Sequence, residues 1–189
     1  MNDPRDFLVR LVERFEAIGI PFMLSGSIAS SYHGRPRATQ DIDIIIEADL
    51  DKTLELFRSL GPAYYVSELA VREACTFQRS FNIIDMKTGY KADIIIRKKR
   101  AFSIEEFSRR LTVRLYDLDL PVVTPEDAIL SKLEWSLASG GSERQFNDTL
   151  GIMQMQGTVL DRDYLRRWAK ELGVGELLER LFAEGGDKG

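Results

Sequence analysis

Two segments constrain this chain more than anything else in it: "DIDIII" at 41–46 and "KADIII" at 91–96. Three consecutive isoleucines suit a strand buried in a sheet, where β-branched side chains pack well. Yet each run opens on aspartate. Asp41 and Asp43 stand two apart, and in an extended chain such residues point to one face, about 7 Å apart along the backbone. If the two runs are neighbouring strands, Asp93 joins that face. Three carboxylates in low dielectric repel one another unless cations neutralise them. The pattern predicts a site for a hard divalent cation, Mg²⁺ or Mn²⁺, held by oxygen ligands.

The segment upstream, "LSGSIASSYHGRPRATQ", supplies a complementary feature. "IPFMLSGS" reads as a short strand ending at Ser25-Gly26-Ser27, and "IASSYH" as a short helix. Backbone N–H groups at such a junction favour anions, glycine permits close approach, and the serine hydroxyl adds a donor. A grip for phosphates therefore precedes the aspartate pair, with thirteen residues between Ser27 and Asp41.

Composition narrows the chemistry. The 189 residues contain one histidine, His33, and one cysteine, Cys75. A zinc-thiolate centre, an intramolecular disulfide and a histidine-rich metal cluster are excluded, which leaves carboxylates as the main chemical resource. At 44% hydrophobic the chain can bury a core, and its net charge of −4 argues against bulk nucleic-acid binding. Basic residues cluster locally, at "GRPR" (34–37) and "RKKR" (97–100). No apolar run approaches the ~20 residues needed to cross a bilayer, and the N-terminus has no signal-peptide layout. A cytoplasmic protein without a membrane partner is expected.

The remaining pattern is mixed. Asp3-Pro4 signals a helix start, with Phe7, Leu8, Leu11, Val12, Phe15 and Ile18 at helical spacing up to Gly19. The helix "DLDKTLELFRSLG" (49–61) follows "DIDIII", with Asp49 or Asp51 as cap and Gly61 as stop. "SELAVREA" predicts another helix. "SFNIIDMKTGYKADIIIR" predicts a hairpin with Gly89 in its turn. "SIEEFSRRL" is helical, "TVRLYDLDLPVVT" gives one or two strands, and "TPED" opens a largely helical remainder. The expectation is an α/β (α+β) fold: a mixed sheet of about five strands over residues 1–124, then a helical part over 125–189. Trp135 and Trp168 fall at apolar helix positions and are expected in the core. Met153 and Met155 are expected to pack, Cys75 to be buried, and His33 to be structural.

The conjunction Ser25-Gly26-Ser27, Asp41-Ile42-Asp43-Ile44 and Ala92-Asp93-Ile94 resembles the core motif of the DNA polymerase β-like nucleotidyltransferase superfamily. With Arg37 and Thr39 added, it is similar to the minimal AbiEii/MenT-like, toxin-type members. The likeness covers about residues 20–155. It extends to Lys132 in "TPEDAILSKLEWS" and to Arg144 and Asp148 in "SERQFNDTLGI", with Asn147 where those relatives carry lysine.

The resemblance implies a nucleotidyltransferase fold and a metal-dependent enzyme that moves a nucleoside monophosphate from an NTP to a hydroxyl, releasing pyrophosphate. It implies that Asp41, Asp43 and Asp93 bind the metal, with Asp93 also the general base. Gly26, Ser27, Arg37, Thr39, Lys132, Arg144 and Asp148 would bind nucleotide, with Arg35 and Arg37 steadying the triphosphate or an acceptor phosphate. A helix-surface role remains open for Lys132 and for the i, i+4 pair Arg144 and Asp148. The resemblance also admits a toxin paired with an antitoxin protein. "RKKR", directly after Asp93, favours an RNA or tRNA 3′ end as acceptor. The alternatives are a catalytically silent binding protein of this fold and a small-molecule (antibiotic) nucleotidyltransferase.

Overall fold

A computed structural model describes residues 4–39 and 41–185, and the chain divides into two compact units. The first comprises Met1–Ser25 and Thr39–Val122; the second comprises Gly26–Ala38 and Val123–Gly189. The expected cap Asp3 lies outside the described residues.

The first unit is built on a mixed sheet that has seven strands among the described residues, in the order β3-β4-β5-β2-β1-β7-β6. These are β1 (Phe22–Leu24), β2 (Asp41–Ile46), β3 (Tyr64–Tyr65), β4 (Ser80–Asp85), β5 (Lys91–Ile96), β6 (Leu111–Leu115) and β7 (Leu118–Val122). The count exceeds the five or so expected. One addition is β3, two tyrosines at the sheet edge, too short to show a period. The other is the segment read as one or two strands, which forms the hairpin β6–β7 through Tyr116 and Asp117, both at positive φ.

The isoleucine runs take the central places. β2 and β5 are parallel neighbours in register, Ile42 to Ala92, Ile44 to Ile94 and Ile46 to Ile96. All six of these side chains are buried. Each isoleucine so removed from water contributes about 1.5–3 kcal/mol. The apolar stripe of α1 (Pro4–Ile18), with Phe7, Leu8, Leu11 and Phe15, is buried too; Phe7 stacks on Tyr64 and Phe15 meets Phe22. Helices α3 (Leu50–Leu60), α4 (Glu68–Phe77) and α5 (Ala101–Ser108) complete the unit. The side chain of Asp49 caps α3, accepting from Lys52 N at 2.9 Å. In the β4–β5 turn, Asp85 accepts from Lys87 N at 2.9 Å and pairs with Arg10, while Gly89 takes the positive φ that the turn requires.

The second unit is helical: α2 (Gly26–His33), α6 (Pro125–Ala138), α7 (Glu143–Gln156), α8 (Arg162–Leu172) and α9 (Gly175–Gly185). Thr124 caps α6, its hydroxyl accepting from Asp127 N at 3.2 Å. Buried Asp127 accepts in turn from the hydroxyls of Thr124 (2.6 Å) and Tyr164 (2.5 Å). Helix α2, expected in the α/β part, packs on α6 and α7. Gly34 makes that approach possible: a Cβ there would stand 2.8 Å from Ile152 N and 2.9 Å from Ser30 O.

Three expectations about single residues are corrected. Trp135 is 64% exposed, because its position on α6 faces away from the apolar contacts made by Leu130 and Leu133. Met155 is also exposed, although Met153, two residues earlier, is buried. Cys75 is half-buried rather than enclosed. Trp168 is buried as expected, and so is His33, whose Nε2 lies 2.7 Å from the Val123 carbonyl.

Candidate active site

In the first unit, parallel pairing sets Asp43 opposite Asp93 and Asp41 opposite Lys91. The pleat sends these four side chains to one face and the isoleucines beside them to the other. The burial pattern agrees: on β2, exposed or half-buried positions alternate with buried ones, and on β5 half-buried ones do. The expectation that Asp93 shares a face with Asp41 and Asp43 is met by the register. Opposite Asp93, on the antiparallel neighbour β4, stands Asn82. The loop before β2 is held locally, since Thr39 donates its hydroxyl proton to the Asp41 carbonyl at 3.0 Å. The end of β1 is tied to the same strand by Ser25 N donating to the Asp43 carbonyl at 2.9 Å.

Lys91 is the residue that sequence reasoning missed. Its Nζ lies 3.2 Å from Asp93 Oδ2 and 3.5 Å from Asp41 Oδ1. Burial alone would lower its pKa; the hydrogen bond and charge of Asp93, joined by those of Asp41, outweigh that and raise it above the ordinary amine value. The signal was present, because Lys91 precedes Asp93 by two, the spacing that pairs Asp41 with Asp43. Among the described residues, no group of three or more His, Cys, Asp or Glu side chains is arranged to hold a metal ion. The carboxylates of Asp41 and Asp93 are arranged about an ammonium instead.

The second unit carries its own polar cluster. Arg37 reaches Asp148 through two bonds, Nε to Oδ1 at 3.1 Å and Nη2 to Oδ2 at 3.0 Å, a bidentate arrangement. The same Nη2 donates to Ser27 Oγ at 2.6 Å. Lys132 donates to Asp148 Oδ2 at 2.8 Å and to Gln145 Oε1 at 3.0 Å. Lys132 is only 5% exposed, so the solvent-facing reading of this lysine is overturned. Asp148 pairs with Arg37 and Lys132 rather than with Arg144, which is exposed on α7, as is Asn147. Burial alone would raise the Asp148 pKa. The hydrogen bonds from Arg37 and Lys132, with their charges, hold it below the usual aspartate value. Gln145 was missed as well; it stands i, i+3 from Asp148 on one helix face. Gly26, at the first position of α2, has φ +56°, which glycine adopts without strain.

"RKKR" is not beside Asp93. It follows the far end of β5, four residues from Asp93, about 13 Å along an extended strand. There Arg97 pairs with Glu47, and Arg97 N donates to the Ile46 carbonyl at 2.9 Å. Arg97 and Lys99 line a separate hollow of about 610 Å³ together with Lys52, Asp49 and Cys75. Three residues of strand, 94–96, thus stand between Asp93 and the run that was expected to follow it directly.

No family model and no curated protein matches the chain. Solved structures do. An antigenic nucleotidyltransferase-like protein from Paracoccidioides brasiliensis is similar at a TM-score of 0.62 and 14% identity, over 96% of this chain and 88% of that one. ANT(2″)-Ia, solved in complex with adenylyl-2″-tobramycin, is similar at 0.56 and 13% identity, over 93% and 97%. The lincosamide antibiotic adenylyltransferase LnuA, lincomycin-bound, is similar at 0.53 and 14%, over 78% and 95%. The fold is that of nucleotidyltransferases. No helix among the described residues is long and apolar enough to cross a membrane.

Proposed function

We propose that this chain is an enzyme that transfers a nucleoside monophosphate from an NTP to a hydroxyl group and releases pyrophosphate. One observation carries the reading: Asp43 and Asp93 in register on adjacent parallel strands, with Asp41 two residues before, in a sheet of the nucleotidyltransferase fold. The three side chains fit a hard divalent cation in their chemistry, since they offer only oxygen, and two of them already hold a cation, Lys91. When bound there, Mg²⁺ or Mn²⁺ supplies neutralisation of phosphate charge and lowers the pKa of the acceptor hydroxyl.

Asp93 takes the proton of the acceptor hydroxyl as general base. The acceptor oxygen bonds to the α-phosphorus, the bond from that phosphorus to the α–β bridging oxygen breaks, and pyrophosphate leaves with the electron pair. Gly26 and Ser27 receive the β- and γ-phosphates, Ser27 with its hydroxyl oriented by Arg37. Lys132 neutralises charge on the leaving group. Asp148 is a positioning residue, fixing Lys132 and Arg37 through its two oxygens. Thr39 steadies the entrance to β2, and Arg144 meets the nucleotide from the exposed side of α7.

The acceptor we favour is a hydroxyl-bearing small molecule. Three strand residues between Asp93 and "RKKR", and the pairing of Arg97 with Glu47, weaken the argument for an RNA 3′ end. ANT(2″)-Ia and LnuA, solved with an adenylylated aminoglycoside and with lincomycin, support a small acceptor on this fold. An RNA acceptor, and with it a toxin restrained by an antitoxin protein, is the second reading, carried by the AbiEii/MenT-like motif "RATQDID". The test offers each α-labelled NTP with Mg²⁺ to aminoglycosides and lincosamides, to total RNA and to total protein. Label in the drug fraction supports the first reading and label in RNA the second. No label in any fraction, with nucleotide still bound, would make the chain a silent binding protein.

A further inference from the structure

On the aspartate face the position between Asp41 and Asp93 has an occupant of this chain's own. Lys91 Nζ stands within ion-pair distance of both carboxylates. Its backbone site is fixed, because Lys91 pairs in register with Asp41 on β2 and with Ile84 on β4. The side chain is only one-third exposed, so it is not a surface lysine swinging freely in water. Resting on the nucleotidyltransferase reading, we infer that Lys91 is an internal competitor for the metal: a divalent cation reaches Asp41 and Asp93 only by displacing the Lys91 ammonium.

The charges explain why such a device is useful. Three aspartates carry three negative charges, and Lys91 removes one of them without any metal. A cation entering the same face meets a positive charge a few ångströms away, which weakens its binding. Four negative charges arriving with a nucleoside triphosphate give the ammonium a second place to go. Lys91 thus keeps the carboxylates paired in the resting protein and makes metal binding favour the nucleotide-bound state. In the resting protein the same ammonium lowers the mutual repulsion of Asp41 and Asp93, so one side chain serves both stability and selectivity.

The test uses Mn²⁺ alone, without nucleotide, on the full chain. Its dissociation constant is measured by calorimetry and by the spin-resonance signal of free Mn²⁺, for wild type, Lys91→Met, Lys91→Gln and Asp43→Asn. Removing one unit charge near the ion should tighten Mn²⁺ binding by about tenfold or more in both Lys91 variants. Both should also melt lower than wild type without metal and recover on adding Mn²⁺. Equal or weaker Mn²⁺ binding in both Lys91 variants, with binding still lost in Asp43→Asn, overturns the competitor role and leaves the metal reading standing. Mn²⁺ binding that Asp43→Asn leaves unchanged in wild-type and Lys91→Met backgrounds alike would remove the metal reading itself.

Discussion

Asp148 joins Arg37, from the loop after α2, to Lys132 on α6: its carboxylate takes two bonds from the arginine and one from the lysine. The lysine side chain is 7% exposed and the aspartate 12%, so their pairing is shielded from water. Cutting such a pair strands a buried charge. Asp148→Asn should cost on the order of 3 kcal/mol, about 6–12 °C in Tm for a chain of this size. Calorimetric unfolding checks it, and a loss under about 1 °C would show the network to be slack.

The pH dependence of that contribution has a definite sign. The folded pKa of Asp148 lies below the unfolded value, so the unfolded chain takes up this proton first. The stabilisation is complete above the ordinary aspartate range near 3.9 and drains away as pH falls through the lower folded value. Wild type and Asp148→Asn should differ in unfolding free energy by a constant amount at pH 6–8 and converge in acid. A gap that widens towards acid would reverse the assignment.

At Gly34, directly after α2, the chain lies close against α7, with backbone atoms of Ile152 and Gly151 inside 3 Å of where a Cβ would stand. Backbone cannot step aside as a side-chain end can. Gly34→Ala should therefore destabilise by about 1–3 kcal/mol, seen as a lower denaturation midpoint with unchanged slope. Full stability would mean that α2 and α7 have room to separate.

The two tryptophans should behave oppositely. Trp135→Ser, on an exposed position, should stay within about 0.5 kcal/mol of wild type. Trp168→Ala, at a buried one, should lose about 3–5 kcal/mol. Fluorescence of the single-tryptophan variants gives an independent reading: a red-shifted Trp135 and a blue-shifted Trp168. Matching emission maxima would contradict their placement.

Much of this molecule was legible because its central strands announce themselves. The runs ending in Ile44–Ile46 and Ile94–Ile96 are β-branched and start on aspartate, so strand type, burial and the charged face followed from a period of two. The cap at Asp49 and the turn at Gly89 were readable from local chemistry in the same way. Lys91 escaped notice because a lysine at a hairpin flank also reads as a solvated end; only the register opposite Asp41 makes it a partner. Trp135 misled because an apolar position on a helix does not say whether another element covers it. "RKKR" misled for a geometric reason: adjacency in sequence to Asp93 becomes a separation of about 13 Å once three residues of extended chain intervene. The bonds of Asp148 to Arg37 and Lys132 span 111 and 16 residues, and no local pattern announces either.

Lys132 should matter to the triphosphate more than to the base. If it neutralises the leaving pyrophosphate, Lys132→Ala weakens NTP binding far more than NMP binding, in isothermal titrations of each. Equal losses for both would take Lys132 out of the phosphate site and leave it a structural partner of Asp148.

The central claim is that the aspartate face performs nucleotidyl transfer, and pyrophosphate release measures it most directly. Wild type, Asp43→Asn and Asp93→Asn are compared with Mg²⁺, an NTP and the acceptor that takes label, after unfolding curves confirm that each is folded. The account predicts pyrophosphate release by wild type and a fall of about 10²–10⁴-fold in both variants with the cooperative transition retained. Release that survives either substitution at more than a tenth of the wild-type rate would contradict it.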